Sequence, residues 1–335
     1  MKTSIPPKHE HPFAQYVRIL GKGKKGSRSL TEQEAFDAMS MIMTGDVLDV
    51  QLGAFLMLLR VKEESADELV GFVKAVRAYC QPQTPITDFV LDWSSYAGKR
   101  RHLPWYLPAI FLLAEHKIPV FMHGASGHTI DRLYTEDVLK TLGFSIADSW
   151  DKVSLDVKSQ GFSYFPLQHL CPKLHDIISL RNVMGLRSPV HTLVRLLNPT
   201  SAPSVIQGIF HPGYQPVHQV SSRTLGFENA LVIKGEAGEI ERNPDVDCKA
   251  LSVQGSELVE ETWPKLFERR HVKETELDIS LLVDTWQGKS THEYGIAAII
   301  GTTALALKLL GKASTQSEAL SYAETLWKER NKSLI

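Results

Sequence analysis

Apolar residues recur at helical spacing through the first eighty positions of the chain. Phe36, Met39 and Met43 share one face of a segment, and Leu69, Phe72, Val73 and Val76 share one face of another. Between them, residues 50–60 are apolar mainly on one side. Two of these segments open with a hydroxyl residue three places before a glutamate, in Thr31-Glu-Gln-Glu34 and Ser65-Ala-Asp-Glu68. There the hydroxyl can accept from the first turn while the glutamate reaches back. A shorter helix is expected over residues 13–20, ended by Gly21-Lys-Gly-Lys-Lys-Gly26. Residues 13–80 therefore predict a small all-helical unit. The polar, proline-containing residues 1–12 predict a mobile tail, and Pro82, Pro85 and Thr87 mark a link to the second part of the chain.

Beyond residue 85 the pattern changes to short apolar runs alternating with helices. Phe89-Val-Leu91 reads as a strand, Ser94 to Arg101 as a loop, residues 106–115 as an apolar helix, residues 119–122 as a second strand, and His123-Gly-Ala-Ser-Gly127 as a second loop. That succession is a βαβ unit, which places ligand loops at the carboxyl ends of its strands. Further strands are expected at 204–210 and 230–234, and helices at 135–142, from 294, and at 316–328. Pro166, Pro172 and Pro189 predict only short helices and turns between 162 and 199, and residues 243–273 read as polar and irregular. The expected fold class is α/β: a small N-terminal all-helical domain plus a larger α/β domain with a mostly parallel sheet. The domains are drawn as 13–80 with part of 163–199, and as 85–162 with 200–335.

Composition narrows the function classes. A net charge of −1 gives no global field toward nucleic acid, so any such binding needs a local patch. Cys80, Cys171 and Cys248 are an odd number at wide spacing, which argues against a disulfide framework or zinc site and fits a reducing cytoplasm. The longest apolar stretch, 294–310, contains Gly295, Gly301, Thr302, Thr303 and Lys308, and reads as a buried helix rather than a membrane span.

The first two loops carry the candidate chemistry. Ser94, Ser95 and Gly98 let an anion approach the backbone, and Lys99, Arg100 and Arg101 add positive charge, although a basic triplet can equally be a surface turn. His123 and Gly124 open the second loop, where the histidine either steers a ligand or is a satisfied structural group. Arg181, near a glycine turn, can hold a phosphate or carboxylate through its planar fork. Lys22, Lys24, Lys25 and Arg28 form a second basic loop, and Arg269, Arg270 and Lys273 a third. Trp93, Tyr96, Trp105 and Tyr106 either stack a base or lie in the core. His169 and His175 flank Cys171, but Pro172 breaks the spacing a metal site would need.

Several stretches together resemble the anthranilate phosphoribosyltransferase family, also called glycosyl transferase family 3. They are Leu30-Thr-Glu-Gln-Glu-Ala35, Met43-Thr-Gly-Asp46, Gly53 to Arg60, His123-Gly124, Asp137 to Gly143, Arg181-Asn-Val-Met-Gly-Leu-Arg187 with Asn198-Pro199, and Gln316-Ser-Glu-Ala319. The resemblance spans nearly the whole chain and implies a nucleoside phosphorylase/phosphoribosyltransferase-like fold, with the Arg181 segment lying where relatives hold an aromatic acceptor.

The departures fall at the chemistry. The family's Gly-Thr-Gly-Gly-Asp-Gly loop, which cradles phosphoribosyl diphosphate, is here Ser94-Ser-Tyr-Ala-Gly98-Lys99. Met122, Ala125 and Ser126 replace a lysine, an asparagine and an arginine, and the magnesium-binding Asp-Glu pair falls at Ile240-Glu241. Glu241, left alone, reads as a surface carboxylate and a weak metal candidate. The pattern is similar to the divergent YbiB-type paralogues, which implies a homodimer joined through the N-terminal helices, with DNA or RNA along basic loops as partner and no membrane. No cofactor is expected, and magnesium only if transfer activity remains. The alternative is an active phosphoribosyltransferase or nucleoside phosphorylase with an altered substrate.

Overall fold

The structure is a computed structural model that describes residues 10–23, 25–80, 86 and 88–335. Most of the expected tail, Lys24, and Pro82, Pro85 and Thr87 of the expected link lie outside the described residues. The helical unit comprises α1 (Ala14–Gly21), α2 (Glu32–Thr44), α3 (Asp49–Lys62) and α4 (Ala66–Cys80). Both expected capping boxes form. The Thr31 hydroxyl accepts from the Glu34 N–H, and Ser65 exchanges hydrogen bonds with Glu68 at 2.8 and 3.3 Å. Glu68 does more than cap. Its buried carboxylate also accepts from the Leu30 N–H at 2.8 Å and pairs with Lys62 at 2.7 Å, joining the ends of three helices. Helices α2 and α4 meet backbone to backbone at Gly71, where a Cβ would lie 2.7 Å from the Ala35 Cβ and press on the Glu32 carbonyl.

The remaining elements are β1 (Leu91–Ser95), α5 (Tyr106–Glu115), β2 (Val120–Gly124), α6 (Thr135–Thr141), α7 (Trp150–Gln160), β3 (Phe162–Pro166), the short helices α8 (Leu167–Leu170), α9 (Pro172–Ser179), α10 (Arg181–Met184) and α11 (Val190–Leu193), then β4 (Ser204–Ile209), α12 (Gln215–Thr224), β5 (Asn229–Lys234), β6 (Cys248–Gln254), β7 (Glu257–Trp263), α13 (Ile279–Gln287), α14 (Glu293–Leu309) and α15 (Gln316–Glu329). The sheet order is β3-β2-β1-β4-β5-β6-β7, parallel from β3 through β5 and antiparallel at β6 and β7. The mostly parallel α/β architecture expected from the alternation is therefore present.

The parallel strands are buried on both faces, as a parallel sheet covered by helices requires. Leu91, Trp93, Val120 and Met122 pack with α5, α14 and α15, whereas Phe89, Phe121 and Val205 join the core of the helical unit. Arg77 of α4 ties that unit to the segment before β4, donating to the carbonyls of Leu197 at 2.6 Å and Leu196 at 3.1 Å.

Three expectations are corrected. Residues 162–166 form a strand rather than turns, because Pro166 ends the edge strand β3, where its missing N–H costs no ladder bond. The stretch read as irregular contains the β6–β7 hairpin, closed at Gly255 with φ of 60°. Most of β7 is exposed at the sheet's edge, so its hydrophobic signal is weak. Cys80 and Cys171, with Cα atoms 5.6 Å apart, form a disulfide despite a sequence separation of 91, leaving Cys248 buried and free.

The contact at Gly71 makes a direct prediction. Gly71→Ala should destabilise the protein by about 2–3 kcal/mol through overpacking, despite the better helix propensity of alanine. Urea unfolding checks this, and an unchanged midpoint would show that α2 and α4 separate at no cost.

Candidate anion site at the carboxyl edge of the sheet

The chain after β5 turns back on itself to reach the first loop. Ala237 takes φ of 58° and Gly238 φ of 91°. Gly208 and Gly235 have no room for a side chain because the Glu239 backbone lies against them. Ile240 is wholly buried in the core, which fixes the segment and leaves Glu239 and Glu241 directed at the loop that follows β1.

There the Glu239 carboxylate occupies a nest of donors. Its Oε1 accepts from the Ala97 and Gly98 N–H groups, each at 2.6 Å, and its Oε2 accepts from the Ser95 hydroxyl at 2.8 Å. Gly98 supports the arrangement with φ of 69°. Consecutive amides turned toward one point form an anion site, and in this molecule the anion is the chain's own side chain. Glu241 is equally committed: Oε1 pairs with the Lys99 ammonium at 2.5 Å, and Oε2 accepts from the Tyr106 N–H at 3.1 Å. Burial pushes the Glu241 carboxyl up to about 7, with Lys99 opposing that rise.

Two expectations change here. Lys99 is not a solvent-facing phosphate ligand, because it is wholly buried against Glu241 and its backbone exchanges 2.8 Å bonds with Leu133. Glu241 is buried rather than on the surface, and no group of three or more metal-ligating side chains occurs among the described residues. Glu239 was missed by sequence reasoning. Its only signal was position, one residue before Ile240-Glu241.

The other candidates divide. Ser94 is buried with an unpartnered hydroxyl, whereas Ser95 belongs to the Glu239 nest. His123 is a satisfied structural group, bonded to the Tyr96 hydroxyl at 2.7 Å and to Asp92 at 3.3 Å. Gly124 is needed where the Ser95 carbonyl crowds the strand. Trp93, Tyr96, Trp105 and Tyr106 are core residues and cannot stack a base. Arg100 and Arg101 are exposed, and the Arg101 carbonyl accepts from the Glu274 N–H at 3.1 Å, which brings the exposed Arg269, Arg270 and Lys273 loop close to them. Lys22 and Lys25 are exposed after α1, and Arg28 is exposed but paired with Glu34 at 2.6 Å.

Arg181 belongs to a further cationic group that the sequence did not reveal as a unit. Its Nη1 donates to the His128 carbonyl at 2.7 Å, and the His128 ring lies 5.1 Å from that of His191. Arg132 donates to the carbonyls of Ala97 and Gly98 at 3.0 and 2.9 Å, and Arg195 donates to those of Gly208 and His191. Arg187 makes no hydrogen bond or ion pair among the described residues. Burial first, and then Arg195, Arg132 and Arg181, hold the Arg187 guanidinium down at about 10. Burial together with Arg187 and other nearby arginines brings His128 down to about 4, so it is neutral at physiological pH. Within ion-pair distance none of these arginines has a carboxylate among the described residues.

Sheet order, helical unit and loop together define a phosphoribosyltransferase-type fold with an internally occupied anion loop. Residues 15–80 match the helical bundle domain of the glycosyl transferase family. The chain is 30% identical over 226 residues to an anthranilate phosphoribosyltransferase of Bacillus caldotenax, covering 66% of this chain and 90% of that one. It is 27% identical over 238 residues to the uncharacterized protein YbiB of Escherichia coli, covering 69% and 73%. The fold matches that of the Saccharomyces cerevisiae anthranilate phosphoribosyltransferase in complex with PRPP and Mg, with a TM-score of 0.78 at 15% identity, over 96% of this chain and 94% of that one. The chain belongs to the anthranilate phosphoribosyltransferase family of glycosyl transferases, as a divergent member.

The buried pair gives a pH-dependent prediction. Lys99→Met leaves the Glu241 carboxylate buried without its counter-charge and should cost about 3–5 kcal/mol at pH 8. Because the folded-state pKa of Glu241 lies above its ordinary value, protonation favours the fold as pH falls from about 7 towards 4.5. The penalty of the variant should therefore shrink at pH 5, and Glu241→Gln in the same chain should recover most of the loss at pH 8. Denaturant titrations at the two pH values check this, and a penalty independent of pH would contradict it.

Proposed function

We propose that the chain is a nucleic-acid-binding protein built on the phosphoribosyltransferase fold, with degenerate phosphoribosyl diphosphate and magnesium sites. The observation that carries the reading is the Glu239 carboxylate held by the Ser95, Ala97 and Gly98 donors. A diphosphate would have to displace a buried, fully bonded anion and would meet the negative charge of Glu239. Magnesium on a diphosphate needs several oxygen ligands in near-octahedral geometry. Both carboxylates already accept N–H or O–H donors, and the Lys99 ammonium lies against one of them, so these residues do not fit the metal.

Charge outside this closed loop supports a polyanionic partner. Arg100 and Arg101 are exposed beside the 269–273 loop, and Arg132, Arg181 and Arg187 have no carboxylate within ion-pair distance among the described residues. Lys22 and Lys25 would add to the groove from the other protomer of a homodimer. The dimerisation domain is proposed as residues 13–80 with part of 163–199. Its support is an apolar face on α3, where Val50, Ala54, Met57 and Val61 recur at helical spacing and Val50 and Val61 are 71% and 83% exposed. No helix among the described residues is long and apolar enough to cross a membrane. The alternative, an active transferase, is favoured by the activity named for the Bacillus caldotenax relative and opposed by the occupied loop.

Each phosphate neutralised by an arginine releases counterions, so log affinity should fall linearly with log salt by about 0.7–0.9 per contact. Arg100→Ala with Arg101→Ala should flatten that slope by roughly two contacts without unfolding the protein. The buried aromatics supply no stacking platform, so no single-strand preference is expected from them. Fluorescence anisotropy with labelled oligonucleotides at several salt concentrations checks this. Absence of binding at low salt, or an unchanged slope in the double variant, would leave the transferase reading ahead.

A further inference from the structure

A cavity of about 90 Å³ lies between α3, α11 and the loop after β4, lined among others by Arg60, Arg187, Ser188, His191, Arg195 and Tyr214. Its size decides the class of occupant. It equals about three water volumes and falls well below the roughly 300–1,000 Å³ of small-molecule pockets, so it suits one compact group. The charges in its walls are unbalanced: three guanidinium groups face a single carboxylate, Glu64. Burial raises the Glu64 pKa, with hydrogen bonds and the Arg60 charge opposing that rise. The Ser188 hydroxyl is buried with no partner, and the buried, neutral His191 donates its Nδ1–H to the Ser188 carbonyl at 3.2 Å. Arg187 has no ion pair or hydrogen bond among the described residues, and the burial that lowers its pKa is the cost of a cation without an anion.

We propose that this cavity binds a phosphate monoester. The net positive charge of about two matches the −1.5 to −2 that a phosphate monoester carries near pH 7, whereas a carboxylate would neutralise only half of it. A phosphodiester within a strand carries a single negative charge and would likewise leave half of it unmatched. A monoester has one substituent and offers three free oxygens to planar arginine forks. Phe210, which lines the same cavity and is 52% exposed, gives the substituent an apolar face outside. The source of the group rests on the nucleic-acid reading: the terminal phosphate of a strand end, with a small phosphorylated molecule as the other source of the same chemistry.

The test uses the full chain and Arg187→Gln, a half-buried and unpartnered position whose replacement should leave the fold intact by circular dichroism. Sodium phosphate should raise the Tm of the parent protein by about 2–4 °C over sodium chloride of equal ionic strength, and the variant should lose at least half of that rise. A rise no greater than that from chloride, or one retained in full by Arg187→Gln, would overturn the proposal. Oligonucleotides with and without a 5′-phosphate then locate the source. A preference of about fivefold or more for the phosphorylated strand, lost in the variant, assigns the cavity to strand ends. Equal binding of the two strands with the phosphate effect intact assigns it to a small phosphorylated molecule, for which ribose 5-phosphate is the probe. Binding of neither strand, with the phosphate effect intact, sinks the nucleic-acid reading and upholds the cavity.

Discussion

Two buried carboxylates, Glu239 and Glu241, hold the carboxyl edge of the sheet together. Glu239 satisfies the amides of the loop after β1, and Glu241 satisfies Lys99 and the first turn of α5. The loop conformation, the burial of Lys99 and the start of α5 all depend on chain that returns from β5, far away in sequence. Ile240 anchors that return in the core, and Gly208 and Gly235 let it approach. A buried charge without a partner is costly, so each partner fixes the other in place.

The same arrangement separates two electrostatic regions. Inside, the anionic positions are filled by the protein itself. Beside them, the half-buried Arg132, Arg181 and Arg187 and the buried Arg195 gather around His128 and His191, with the charge of Glu239 acting on Arg132 and Arg195. Arg132 links the two regions, because it donates to the carbonyls of the very residues, Ala97 and Gly98, whose amides hold Glu239. Positive charge is thus concentrated beside the loop that holds Glu239, although the chain as a whole is close to neutral.

Much of the fold was legible because local signals carried it. The helices of the N-terminal unit announced themselves through capping boxes and a 3.6-residue apolar period, and β1, α5 and β2 through short apolar runs divided by loops. The edge elements were not legible. β3 ends at a proline that an interior strand would exclude, and β7 alternates weakly because most of it is exposed. At the site, the departure of Ser94-Ser-Tyr-Ala-Gly98-Lys99 from the glycine-rich pattern could be read directly, but the partner of its amides could not. Glu239 looked like one carboxylate among many until the fold placed it 2.6 Å from the Ala97 and Gly98 amides. Lys99, beside two exposed arginines in the sequence, turns inward because its partner Glu241 is brought in from elsewhere. The grouping of Arg60 with Arg187 and Arg195 around one cavity likewise depends on tertiary contacts that no local pattern encodes.

The central claim is that the chain's own carboxylates close the anion loop to phosphoribosyl diphosphate. Isothermal titration of the full-length protein with phosphoribosyl diphosphate and magnesium addresses it most directly. No saturable heat is expected from the parent protein, and saturable, magnesium-independent binding is expected once Glu239→Gly empties the nest. Magnesium-dependent binding of phosphoribosyl diphosphate to the parent protein, with an affinity tighter than about 1 mM, would contradict it.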